Sequence, residues 1–147
     1  RDLLLTPWDG PLGVAARLVL LEHMSQLAGW VREHTMLVQR ADPSAYVVTH
    51  GEPGVHNQWR AQGRTWLIDW ESLRLAPRER DLATLVHAGV ATDGDWAMIR
   101  LFDLEWRLSE VWSFARWLQG PHEGDADDRA ALAGLTEELT RPHFGER

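Results

Sequence analysis

The residue types best suited to chemistry concentrate in one run, His50-Gly51-Glu52-Pro53-Gly54-Val55-His56-Asn57, and a second group, Ile68-Asp69-Trp70-Glu71, follows it closely. Gly51, Pro53 and Gly54 make a continuous helix through the first run implausible, so it reads as a loop leaving a strand. Between the two groups, Asn57–Ala61 and Arg64–Asp69 flank Gln62-Gly63. Glycine there supplies the positive φ that a tight hairpin turn requires. A hairpin of this length returns the chain to where it began, which predicts that Asp69 lies near Glu52 and Asn57. A carboxylate able to orient a hydroxyl, with an amide oxygen and a second carboxylate for a hard cation, suits phosphoryl transfer with Mg²⁺.

The surrounding elements must hold that loop. Apolar positions Val14, Leu18, Leu21, Ala28 and Val31 recur at helical spacing, predicting one long amphipathic helix from Gly13 to about His34, with Met24 and Leu27 on its flank. Asp42-Pro43-Ser44 marks the break after it, and Tyr46-Val47-Val48-Thr49 reads as a buried strand. Glu71–Arg78 is predicted as loop and Glu79–Val90 as a helix with Asp81 in its first turn. A long helix to about Gln119 carries the seam Ala97, Leu101, Leu104, Leu108, Val111, Ala115 and Leu118, and a last helix spans about Ala126 to Leu139. The nine Trp residues, Trp106 and Trp117 among them, are expected mostly in the core. Asp103, Arg107 and Glu110 sit at helical distances that predict a solvated, salt-bridged face.

With 147 residues the chain has room for one domain with a sizeable core. Its net charge of −7 argues against a nucleic-acid partner, and no apolar run approaches the ~20 residues that span a bilayer. Cysteine is absent, which excludes disulfides, thiolate metal sites and a cysteine nucleophile; a cytoplasmic location fits. All 15 basic residues are Arg, so chemistry that needs a lysine cannot be completed by this chain. The start at Arg1 is read as belonging to a piece of something longer.

The order His50-Gly51-Glu52, Asn57, Ile68-Asp69-Trp70, then Arg80-Asp81-Leu82-Ala83 resembles the carboxyl-terminal lobe of the aminoglycoside phosphotransferase family over roughly residues 12–140. His-Gly-Glu-Pro is similar to a bacterial branch of antibiotic-phosphotransferase-like proteins, and Trp106–Val111 with Gly120-Pro121-His122 resembles its helical end. The resemblance implies an α+β fold: the mostly helical C-terminal lobe of a protein-kinase-like fold, with a small β-hairpin carrying the catalytic and metal loops. Residues 1–147 would then form a single domain from which the N-terminal nucleotide lobe is absent. It further implies Glu52 in the catalytic carboxylate position, Asn57 and Asp69 as metal ligands, and His50 and Asp81 as supports of the catalytic loop. Mg²⁺ would be the cofactor, ATP or GTP the co-substrate, and a small molecule bearing a hydroxyl, such as a cationic antibiotic, the acceptor. The chain departs from the family pattern at Glu52, where the usual residue is Asp, and at Gly54-Val55-His56, where His-Pro-Gly is common.

Three functions are therefore compared. The first is a small-molecule kinase of which this chain is the substrate-side lobe, inactive alone, with Leu3, Leu4, Leu5 and Trp8 on an apolar face open to self-association. The second is a kinase-like lobe kept for binding or scaffolding without turnover. The third is a metal hydrolase using His50, Glu52 and His56, which requires the two imidazoles to converge.

Overall fold

The computed structural model describes residues 6–144, which divide into two compact units: 6–34 with 104–141, and 35–103 with 142–144. The elements in chain order are α1 (Gly13–Glu22), α2 (Met24–Arg40), β1 (Val47–Thr49), β2 (Gln58–Ala61), β3 (Arg64–Leu67), β4 (Arg74–Ala76), α3 (Glu79–His87), α4 (Trp96–Gln119) and α5 (Ala126–Thr140). Short 3-10 turns at Pro43–Ala45 and Val55–Asn57 lead into β1 and β2. No helix among the described residues is long and apolar enough to cross a membrane.

In the first unit, the single helix expected up to His34 is broken at His23 and resumes as far as Arg40. The cause is local. The His23 Nδ1–H donates to the Val19 carbonyl at 2.8 Å, displacing the backbone bond that carbonyl would otherwise accept, and the His23 N–H turns to Leu20. The expected core stripe is also on the other face. Val14, Leu18 and Val31 are 66, 53 and 52% exposed, and Leu21 and Ala28 are exposed as well, while Gly13, Ala16, Leu20 and Trp30 are buried. Space at Gly13 is tight, since a Cβ there would meet the Trp8 carbonyl oxygen at 3.1 Å. Trp8 itself is half-buried, and Leu3, Leu4 and Leu5 lie outside the described residues. Most of the α4 seam is where the periodicity puts it: Leu104, Val111, Ala115 and Leu118 are buried, while Ala97 and Leu108 are only half-buried, and Ala131, Leu135 and Leu139 of α5 are buried as well.

Two further expectations are corrected here. Arg107 has no exposed surface: Nη1 donates to the carbonyls of Glu138 (3.0 Å) and Arg141 (2.9 Å) at the end of α5, and the guanidinium lies 5.3 Å from the Trp30 ring centroid. A cation at a helix C-terminus satisfies orphan carbonyls and complements the dipole, so burial there is compensated. The tryptophans are mostly outside the core: only Trp30 is buried, and Trp59, Trp66, Trp70, Trp96, Trp106, Trp112 and Trp117 are all exposed.

The second unit holds the strands. β1 pairs antiparallel with β4 (Val47↔Ala76, Val48↔Leu75, Thr49↔Arg74), and β2 pairs with β3 (Gln58↔Leu67 to Ala61↔Arg64). β4 falls where a loop is expected, and β1 is not a buried strand, since Val47 and Val48 are exposed and only Thr49 is enclosed. A three-residue strand in a two-stranded ribbon lacks the neighbours that would cover both faces. The hairpin forms as its turn residues predict: Gln62 and Gly63 have φ of 50° and 72°, the pair of positive values that matches strand twist in a two-residue loop. Asp103, also expected on a solvated face, is fully buried and accepts from Arg100 at 3.4 Å and from His143 at 2.5 Å.

Candidate functional site

The site begins where β1 ends. Thr49 is buried, its hydroxyl donating to the Arg74 carbonyl across the ribbon (2.9 Å) and accepting from Arg80 Nη1 (3.0 Å). Beyond it every polar group of the next two peptide units is met by a side chain from residues 72–84. Asp81 accepts both successive amides, His50 N–H at 3.0 Å and Gly51 N–H at 2.6 Å. Ser72 Oγ donates to the His50 carbonyl (2.6 Å), and Thr84 Oγ1 donates to that of Gly51 (3.1 Å). Such saturation is what a buried, non-repetitive backbone requires. Gly51 takes φ +99°, and a Cβ there would stand 2.5 Å from Arg80 Cζ and 2.6 Å from Ser72 Oγ, so glycine is demanded twice over.

His50 is buried and spans the loop. A carbonyl can only accept, so the 2.8 Å contact to Ile68 puts the proton on Nε2, leaving Nδ1 to accept the Glu52 N–H at 3.3 Å. With both nitrogens engaged, the ring has no lone pair for a metal, and the hydrolase reading loses its ligand. The ring also packs on Trp70, centroids 4.6 Å apart. Asn57, 6% exposed, donates Nδ2–H to the Glu52 carbonyl (2.9 Å). Its own carbonyl accepts the Ile68 N–H (3.0 Å), which closes the base of the β2–β3 hairpin. His50, Glu52, Asn57 and Asp81 are thus brought into one hydrogen-bonded lattice.

Asp69 follows Ile68 at once, but its carboxylate makes no bond to that lattice. It is exposed, without a hydrogen-bond or ion-pair partner among the described residues, and its backbone is left-handed at φ +64°. Asp and Asn are the side chains most often found in that region after glycine. The Glu52 carboxylate is 43% exposed, and His56 Nε2 stands 3.9 Å from it.

By type, an amide oxygen and a carboxylate are donors that a hard cation accepts. Because Asn57 Nδ2 is committed to Glu52, Asn57 Oδ1 is left without a partner among the described residues, as are the oxygens of Asp69. No group of three His, Asp or Glu side chains among the described residues could hold a metal ion by itself. An amide and a single carboxylate match the way Mg²⁺ is held, by few protein oxygens with phosphates and water supplying the rest.

Sequence reasoning missed Ser72, Arg80 and Thr84; serine and threonine in a presumed loop and an amphipathic helix carry no local signal of bonding to a loop more than twenty residues earlier. A cavity of about 390 Å³ opens among Arg40, Tyr46, Val47, Pro77, Glu79 and Met98, and none of the expected site residues lines it.

No family model matches the chain. Protein StrN of Streptomyces griseus is 38% identical over 96 residues, which are 65% of this chain and 30% of that protein. The crystal structure of the spectinomycin phosphotransferase APH(9)-Ia in complex with ADP and spectinomycin is similar with a TM-score of 0.68 at 16% identity, covering 91% of this chain and 46% of that one. The AMP-bound complex of the same enzyme gives 0.66 at 17% identity, covering 91% and 47%. The chain therefore spans less than half the length of the proteins it matches. The described residues, mostly helical with small antiparallel strand pairs, share the fold of part of that phosphotransferase.

Proposed function

We propose that this chain is the C-terminal lobe of a phosphotransferase that moves the terminal phosphoryl group of ATP or GTP to a hydroxyl of a small molecule. The observation that carries the reading is the contrast within one loop. Its backbone is tied down by Asp81, Ser72, Thr84 and His50, while the oxygens of Asp69 and Asn57 Oδ1 have no partner among the described residues and the Glu52 carboxylate is met only by His56 at 3.9 Å. Phosphoryl transfer asks little covalent chemistry of a protein and much positioning, which is what a rigid loop with free acceptors supplies. Glu52 orients the acceptor hydroxyl and takes its proton as the phosphoryl group departs from the nucleotide. Asn57 and Asp69 would hold Mg²⁺, which when bound neutralises charge on the phosphates. His50 keeps the loop in register and moves no proton. The net charge of −7 favours a cationic acceptor, an aminoglycoside-like antibiotic being one such class. On this reading a separate nucleotide-binding lobe would supply the lysine that this chain lacks.

The test is phosphoryl transfer by the full-length protein with Mg-ATP and Mg-GTP against a panel of aminoglycosides and other small alcohols. Glu52→Gln is expected to lower kcat by about 100-fold or more, and the 147-residue chain alone to show little turnover. Tight nucleotide binding with no transfer to any acceptor would instead favour a silent scaffold lobe.

A further inference from the structure

The contact between His56 and Glu52 has a second observation behind it. Gly54 has an ordinary φ of −63°, which any residue adopts, so its backbone conformation does not explain a glycine. Space does. A Cβ at Gly54 would stand 2.7 Å from His56 Cε1, 3.0 Å from Nδ1 and 3.7 Å from Nε2, and those ring atoms are its three nearest neighbours. The imidazole lies against the bare α-carbon of Gly54, and from that seat Nε2 faces the Glu52 carboxylate at 3.9 Å. Residue 52 is held at its amide by His50 and at its carbonyl by Asn57, yet three side-chain torsions separate that anchored backbone from the carboxylate. Among the described residues, His56 is the one side chain within ion-pair range of it.

We infer that His56 is a positioning residue for the Glu52 carboxylate and that Gly54 is present to seat its ring. The inference rests on the phosphotransferase reading above for its consequence in turnover, but not for its geometry. A small rotation of either side chain closes 3.9 Å to a hydrogen bond, and catalytic groups must be held to within about 0.5 Å to be effective. A glutamate swings its charge through a larger arc than an aspartate, and the imidazole narrows that arc.

The test uses the full-length protein with His56→Ala, His56→Gln, Gly54→Ala and the Gly54→Ala/His56→Ala double variant. His56→Ala is expected to lower kcat about tenfold with the KM for nucleotide unchanged, and His56→Gln, whose Nε2 can reach the same point, to recover most of it. Gly54→Ala should match His56→Ala in an otherwise unchanged protein and cost nothing further where the ring is already gone. A readout independent of turnover is the ¹³Cδ resonance of Glu52, assigned by its loss in Glu52→Gln. It should move in His56→Ala and Gly54→Ala and return in His56→Gln. An unmoved resonance, or a Gly54→Ala penalty that persists without the ring, overturns the inference. A resonance that behaves as expected while the full-length protein transfers phosphoryl to no acceptor upholds the positioning and overturns the phosphotransferase reading instead.

Discussion

Asp81 offers the sharpest test of how the loop is held, because it needs no substrate. Its two carboxylate oxygens accept two successive amides, at 3.0 and 2.6 Å, from a residue that is buried and a glycine that is half-buried. Hydrogen bonds to a charged acceptor contribute about 1.5–3 kcal/mol each. Water reaching Gly51 in the truncated protein would recover part of the second bond. Asp81→Ala should therefore cost about 3 kcal/mol, and Asp81→Asn about 2, since Asn keeps one acceptor but sets an NH₂ against the other amide.

For a chain of this size that corresponds to a fall of roughly 10 °C in Tm for Asp81→Ala, with a matching drop in urea midpoint. Hydrogen exchange localises the effect: the amides of His50 and Gly51 should lose protection before those of the α4 core. The control is Asp93→Asn, which breaks an exposed ion pair with Arg78 at 3.3 Å and should cost less than about 0.5 kcal/mol. If Asp81→Ala and Asp93→Asn prove indistinguishable in urea, the loop is not held by Asp81 and the anchoring argument is wrong.

Gly51→Ala should destabilise by about 2 kcal/mol or more, because φ +99° and the crowding by Arg80 and Ser72 act together; thermal denaturation reads it. Asp69→Asn should leave the urea midpoint unchanged while abolishing nucleotide-dependent turnover of the full-length protein, and Asp69→Ala should add about 1 kcal/mol of backbone strain, since Ala tolerates φ +64° less well. Acid should loosen the start of α5. Burial pushes the Asp128 carboxyl up, but hydrogen bonds from Trp117, Asp125 and Gly124 and the nearby His122 charge outweigh it, leaving it below its usual 3.8. A lowered folded value means that stability is present above pH 3.8 and lost as pH falls below it; the Trp117 indole N–H resonance, reporting its 2.8 Å bond to Asp128, should follow that loss and lose its dependence in Asp128→Asn.

What could be read from the sequence was what is decided locally. Gly51, Pro53 and Gly54 exclude a helix whatever surrounds them, Gln62-Gly63 makes one kind of turn, and the α4 seam repeats often enough to define its buried side. What escaped depends on partners distant in the chain. β4 has no β-branched run and exists because residues 74–76 meet residues 47–49. The periodicity of Val14, Leu18 and Leu21 reports that α1 has an apolar stripe, not which side is covered, and Ala16 and Leu20 are buried instead. Arg107 looked like a surface cation because its acceptors are main-chain carbonyls, which have no sequence signature. The break at His23 turns on one side-chain proton that outcompetes a backbone amide.

Several carboxylates of this chain have a clear structural use. Asp42 spends an oxygen on the amide and hydroxyl of Ser44, Asp125 and Asp128 cap α5 reciprocally, and Asp81 bridges two amides. Each is a structural use, local to a turn or a helix end. Asp69, in a backbone conformation that costs free energy, does none of this, and the Glu52 carboxylate is met only by one exposed imidazole. The neighbouring backbone is saturated with hydrogen bonds while these acceptors are left open, a division expected where rigidity serves a ligand supplied from outside.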